Sequence, residues 1–152
     1  MENQVYMGTL VTSWQRNKKI KTITFNVTDD CNLACTYCYF VHKTCHHRMD
    51  FSVACKAVDY ILSNEDFLAF DGVVWDFIGG EPTLEAKLIN QICDYIVERM
   101  YDLNHKWLCC YKFMMCSNGL LYSSEPVQRL VSRHNVNIQI ANTIDGSKEK
   151  HD

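Results

Sequence analysis

Proline and glycine are scarce in this chain, at two and six of 152 residues. That scarcity excludes collagen-like repeats and a Pro/Gly-rich linker. No apolar run approaches the roughly 18 residues that span a bilayer. The opening residues, Met1-Glu2-Asn3-Gln4-Val5-Tyr6, carry neither the basic nor the apolar stretch of a secretory leader. Charge of one sign is missing too. Fifteen Lys and Arg stand against eighteen Asp and Glu, a net charge of −3. This balance argues against a nucleic-acid partner and against an anionic membrane surface. Internal repeats and low-complexity stretches are absent. The length is that of one domain.

Cysteine is what the chain has in excess, with nine residues. An odd count without a secretory leader does not read as a disulfide framework. The expectation is a cytoplasmic protein whose clustered cysteines serve metal or catalysis. Three of them, Cys31, Cys35 and Cys38, fall within eight residues.

The hydrophobic pattern alternates between two periods. Residues 1–19 read as a lead-in, with an edge strand over Val5–Thr12. Ile20–Val27 is β-branched and apolar and reads as a strand. A cysteine-bearing loop follows to about Met49. Ser52–Ser63 places Val53, Ala57, Val58, Ile61 and Leu62 on one helical face, with Asp50 or Ser52 as its cap. Val73–Ile78 is a second strand, ended by Gly79-Gly80. Thr83 is expected to cap a helix from Leu84 to about Tyr101. Cys110–Cys116 is a third strand, stopped by Ser117-Asn118-Gly119. Ser124, followed by Glu125 and Pro126, opens a helix to His134. Val136–Ala141 is a fourth strand, ended by Thr143-Ile144-Asp145-Gly146.

Three strand–helix units and a further strand imply an α/β fold with parallel strands and right-handed crossovers. Parallel sheets place their chemistry in the loops after the strands. The four unusual loops of this sequence all lie there. A complete four-stranded open sheet is one reading. The favoured expectation is a truncated copy of a longer barrel, because the last strand would otherwise be a bare parallel edge.

Cys31-x3-Cys35-x2-Cys38 offers three soft thiolates from one loop. Such ligands suit iron–sulfur clusters, zinc or cuprous copper. A structural zinc wants four protein ligands. His42 could complete a Cys3His set. A [4Fe-4S] cluster on three cysteines instead keeps one iron open for a small molecule. The remaining cysteines, Cys45, Cys55, Cys93, Cys109, Cys110 and Cys116, read as packing residues. Cys116 is the exception to watch, since it ends a strand near the rim. His42, His46, His47 and Arg48 read as a solvated loop.

Cys31-x3-Cys35-x-Tyr37-Cys38 resembles the signature loop of the radical S-adenosylmethionine (SAM) enzymes. Gly79-Gly80-Glu81-Pro82 is similar to that family's GGEP loop. Ser117-Asn118-Gly119 resembles its TNG turn, and Thr143-Ile144-Asp145-Gly146 its S-x-D-G segment. Each of these last two exchanges one hydroxyl residue for another. The resemblance runs from about Ile20 to Asp152. It implies that residues 20–152 form the N-terminal part, β1 to β4, of a (β/α)6 radical SAM barrel. The local phrases look closest to the peptide-maturing branch with SPASM or twitch domains, and within it to maturases of CXXX-repeat peptides.

The resemblance implies a [4Fe-4S] cluster on Cys31, Cys35 and Cys38, with SAM on its open iron. It places Tyr37 against the adenine, and Gly79, Gly80 and Glu81 at the amino group. Ser117, Asn118, Thr143 and Asp145 are implied as further contacts. An external one-electron reductant, cleavage of SAM to a 5′-deoxyadenosyl radical, and hydrogen abstraction from a peptide complete the expectation. Read from the residues alone, plainer roles stay open. Glu81 could simply favour a helix N-terminus. Asn118-Gly119 and Asp145-Gly146 are ordinary turn dipeptides. The alternatives are a protein substrate of the sulfatase-maturase kind, a small metabolite, a cluster protein without chemistry, or a non-catalytic Cys3His zinc module.

Overall fold

Alternation decides which face of each strand is buried. The computed structural model describes residues 18–38 and 46–143. Its strands are β1 (Ile20–Thr28), β2 (Gly72–Gly79), β3 (Tyr111–Ser117) and β4 (Ile138–Asn142). They form one parallel sheet in the order β1-β2-β3-β4. Helices α1 (Phe51–Ser63), α2 (Ala86–Asp102) and α3 (Glu125–His134) make the crossovers. Odd-numbered strand residues, among them Phe25, Val27, Trp75, Phe77, Phe113 and Met115, enter one core. Phe25 stacks on Trp75 and Phe77 at ring separations of 6.0 and 5.9 Å.

All three helices feed that same core, through Val58 and Leu62 of α1, Ile89, Ile92 and Ile96 of α2, and Val127 and Leu130 of α3. Every crossover therefore lies on one side of the sheet. The opposite face carries Thr22, Thr24, Asn26, Asp76, Met114 and Cys116, all exposed or half-buried. The sheet is thus covered by helices on one face and open on the other, the arrangement a strand–helix arc of a barrel wall would have. No helix among the described residues is long and apolar enough to cross a membrane.

Several boundaries differ from the sequence reading, each for a local reason. Asp50 is the cap of α1, its side chain accepting from Ser52 N at 2.7 Å. Val53 lies outside the buried stripe and is 54 % exposed, because Ala54, Val58 and Leu62 recur at four and take the core. Thr83 does not cap α2. A 3-10 turn, Pro82–Glu85, comes first, with Glu81 as its cap, and α2 starts only at Ala86. Leu84 falls in that turn and is 41 % exposed. β3 begins at Tyr111 because a second 3-10 turn, Lys106–Cys109, is still closing at Cys110. β4 begins at Ile138, not Val136, because Asn137 N is still bonded to His134 O at the end of α3. The expected strand over Val5–Thr12 lies outside the described residues.

His105 caps the Lys106–Cys109 turn. Its Nδ1 accepts from Trp107 N at 3.2 Å, and its ring meets the Trp107 ring edge-on at 4.9 Å. Burial, helped by the neighbouring Lys106 charge, holds its pKa below the usual 6.5. Protonation would put a hydrogen on the nitrogen that accepts. The folded pKa is depressed, so below the unfolded value of about 6.5 the unfolded chain binds more protons. Stability is then complete above that pH and falls as pH drops beneath it. Urea midpoints measured between pH 7.5 and 5 should decline. A His105→Asn variant, which keeps a capping acceptor and cannot titrate, should decline less.

Candidate cofactor site

The loop that carries the triad is pinned at both ends. Gly80 N donates to Thr28 O at 2.9 Å, and Glu81 N donates to Asp30 O at 2.7 Å. At the far end, residues 46–49 return along the end of β1. Asp29 N donates to His47 O, and Met49 N to Val27 O, both at 2.9 Å. The exposed side chains there are anchored as well. His46 Nδ1 lies 2.5 Å from Asp30 Oδ1, and Arg48 lies 2.5 Å from Glu85 Oε2. Cys31 therefore starts from a fixed point, immediately beyond Asp30. Its sulfur accepts from Leu33 N at 3.4 Å, and Cys38 N donates to Cys35 O at 3.2 Å.

Gly79 and Gly80 are required by this packing. A Cβ on Gly80 would sit 2.3 Å from Asp30 O, and one on Gly79 would sit 2.3 Å from Thr28 O. The glycines let the end of β2 lie directly against the backbone after β1.

Glu81 holds the next loop. Its side chain is 1 % exposed. Oε1 accepts from Thr83 N at 3.1 Å, from the Thr83 hydroxyl, and from the Ser117 hydroxyl at 2.8 Å. Oε2 accepts from Asn118 N at 2.8 Å. Ser117 Oγ in turn accepts from Gly119 N at 3.0 Å, where Gly119 takes a φ of +80°. Asn118 Nδ2 then donates to Asn32 Oδ1 at 2.7 Å, inside the cysteine loop. Thr143 N donates to Ser117 O at 2.9 Å, which brings in the end of β4. One buried carboxylate and its partners thus link the ends of all four strands. Glu81 is a structural tie as well as a wall residue, a role its position before a helix did not reveal.

These ends enclose a cleft of about 330 Å³, a size found for small-molecule sites. Cys31, Cys35, Cys38, Tyr37, Gly79, Gly80, Glu81, Ser117, Asn118 and Thr143 all line it. Asp145 and His42 lie outside the described residues, as does Cys45. Leu33, Ile78 and Cys116 line the cleft too. Cys116 corrects the packing assignment, since it is exposed rather than buried. Partial desolvation of its sulfur beside the sheet, and then the Asp76 charge, push its thiol pKa up. Strand parity could have shown this, because Phe113 and Met115 point to the core and Cys116 must point away. Cys109 is exposed as well, whereas Cys93 and Cys110 are buried as expected.

Among the described residues, no three His, Cys, Asp or Glu side chains are close enough to hold a single metal ion. Cys31, Cys35 and Cys38 all line the one cleft. Soft thiolates suit an iron–sulfur cluster or zinc, and three of them beside a small-molecule cleft are a donor set that fits a cluster with one open iron.

No family model matches the chain. Over 127 residues it is 29 % identical to an uncharacterized protein of Methanocaldococcus jannaschii, MJ0907, covering 84 % of this chain and 39 % of that one. Among solved structures it is similar to native anSMEcpe with bound AdoMet and Kp18Cys peptide, at 23 % identity and a TM-score of 0.65. It is likewise similar to a histidine-tagged form of anSMEcpe with bound AdoMet, at 22 % identity and a TM-score of 0.66. Each match covers 87 % of this chain and 34 % of the other. That neighbour is a radical SAM anaerobic sulfatase-maturating enzyme. The chain shares its fold with part of that protein, and it spans between a third and two fifths of the proteins it matches.

Proposed function

We propose that this chain is the N-terminal part of a radical SAM enzyme, with residues 20–152 forming β1 to β4 of its core. The observation that carries the reading is the shared cleft. Three cysteine thiols and the ends of four parallel strands meet there in one small-molecule site.

In this reading Cys31, Cys35 and Cys38 each hold one iron of a [4Fe-4S] cluster, and the fourth iron stays open. When bound, cluster and SAM supply a one-electron cleavage that yields a 5′-deoxyadenosyl radical able to take hydrogen from a substrate carbon. The chain binds and orients. Gly79 and Gly80 present backbone groups to the amino end of SAM, and Glu81 adds Oε2, which accepts from Asn118 N and keeps a second lone pair for the ligand. Tyr37, on the cleft wall, would lie against the adenine. Asn118, Thr143 and Asp145 serve the remaining polar groups, with Ser117 holding their turn. Leu33 and Ile78 give the cleft apolar walls that keep water away from the reacting atoms. The substrate is a peptide, the class found bound to the structural neighbour, and an external protein reductant delivers the electron.

The test is anaerobic reconstitution of the full-length protein with iron and sulfide, then low-temperature EPR with and without SAM. Iron and sulfide in equal amounts, with g-values that change on adding SAM, are expected. Cys35→Ala should abolish the signal. One zinc per chain without sulfide would overturn the reading in favour of a zinc module. A cluster signal indifferent to SAM would overturn the enzyme assignment.

A further inference from the structure

Below the cleft, on the open face of the sheet, one carboxylate has no structural explanation. Asp76 lies inside β2. The register pairs it with Thr24 on β1 and with Met114 on β3, and Met114 with Gln139 on β4. These four residues form a row across the barrel-facing side. Two residues further along the strands, on the same face, Ile78 and Cys116 line the cleft. Two residues of parallel strand span about 6.6 Å. The row is thus one layer deeper than the cleft wall.

A charge is costly in that position. Burial raises the Asp76 pKa, and the Thr24 hydroxyl, 3.5 Å away, opposes this only in part. Among the described residues no Lys, Arg or His is within ion-pair distance of it. Lys112 shares the face, but its ammonium donates to Val136 O instead. A half-buried carboxylate without a cation is uncompensated. An apolar residue like Val74, two positions earlier on the same face, would serve the sheet better. A perturbed carboxylate beside a cleft is a candidate functional position. Its surroundings narrow the function. Ile78 and Cys116 lie on the same face between the cleft and the Asp76 row, and Met114 lies beside Asp76 in that row, so the approach to the carboxylate is soft and apolar. An alkyl stem ending in a positive charge matches such an approach with an acid at its end.

We propose that Asp76 selects the substrate by binding the ammonium or guanidinium of a lysine or arginine side chain that enters the barrel face below the SAM cleft. The proposal rests on the reading of the cleft given above and names the substrate class for it.

The experiment uses the full-length protein and Asp76→Asn, which keeps the shape and an acceptor for Thr24. Two dye-labelled, glycine-flanked peptides are compared by fluorescence anisotropy with SAM present, one bearing a single lysine and one norleucine. Wild type should bind the lysine peptide about tenfold more tightly, the worth of a charge-assisted contact. In Asp76→Asn the two should bind within about twofold. The thermal midpoint of Asp76→Asn should equal or exceed that of wild type, since the uncompensated charge is gone, and the SAM-dependent EPR change should be the same in both proteins.

Equal binding by wild type, or a preference retained in the variant, overturns the proposal. So does a clearly lowered midpoint in the variant, which would mean that a basic residue elsewhere in the full protein pairs with Asp76. An EPR signal indifferent to SAM in wild type would defeat the cofactor reading instead, and the peptide preference would still report on Asp76 itself.

Discussion

Glu81→Ala should destabilise the fold by about 3–5 kcal/mol. The carboxylate is buried, and four donors converge on it: Thr83 N, the Thr83 hydroxyl, the Ser117 hydroxyl and Asn118 N. The hydroxyls can turn to other acceptors. The two backbone N–H groups cannot, and each buried orphan donor costs about 1–3 kcal/mol. A domain holds only about 5–15 kcal/mol in all. Glu81→Gln should be nearly as harmful. Every partner donates, so the amide NH2 must face a donor wherever it points. Urea denaturation measures both variants. A Glu81→Gln protein as stable as wild type would show that the four donors do not depend on the carboxylate. The same variants should lose SAM binding, because the tie that joins the strand ends is gone.

Gly80→Ala should cost about 2–4 kcal/mol and disturb the cysteine loop directly. The new methyl would lie 2.3 Å from Asp30 O, 2.6 Å from Asp30 C and 2.7 Å from Asp29 O. All three are backbone atoms, so no side chain can rotate out of the way. Relief requires the end of β2 to part from the chain after β1. That movement strains the bonds from Gly80 N to Thr28 O and from Glu81 N to Asp30 O. It also displaces Asp30, the residue before Cys31. The expected pattern is a lowered urea midpoint together with reduced iron incorporation. A midpoint within about 0.5 kcal/mol of wild type would show that the contact can relax cheaply.

The two variants separate two reasons for one motif. The Gly-Gly-Glu stretch reads naturally as a ligand cradle, with glycines clearing space for a small molecule. The atoms that forbid a side chain at Gly79 and Gly80 belong to Thr28, Asp29 and Asp30. Glu81 likewise spends its oxygens on Thr83, Ser117 and Asn118. The motif first builds the wall, and the cleft follows from it.

Much of the architecture was legible because its signals are local. Apolar runs bounded by turn residues placed four strands, spacing at three and four placed two helices, Ser124 with Glu125 and Pro126 placed the third, and each strand end carried its own unusual loop. The 3-10 turns Pro82–Glu85 and Lys106–Cys109 were not legible. In the first, Pro82 and the Glu81 side chain redirect the chain before α2 can start at Ala86. In the second, His105 does the same before β3. Both depend on one side chain reaching a backbone N–H two residues on, which periodicity does not register. Val53 and Leu84 were misplaced for a related reason. A stripe of apolar residues names a face, but the neighbours on the sheet decide how much of it is covered.

The sequence by itself determined the elements, through patterns within a few positions, and the parallel topology, through the alternation of strand and helix; most residues around the cleft were expected from the family resemblance. Tertiary structure alone decided three things. It put all the helices on one side, so that Asp76 and Cys116 face an open surface. It turned Glu81 inward, onto donors from a loop 36 and 37 residues away. And it bonded Asn118 to Asn32 across 86 residues, closing the cleft. Each of these joins parts of the chain that come within reach only after the crossovers have formed, so no local pattern encodes them.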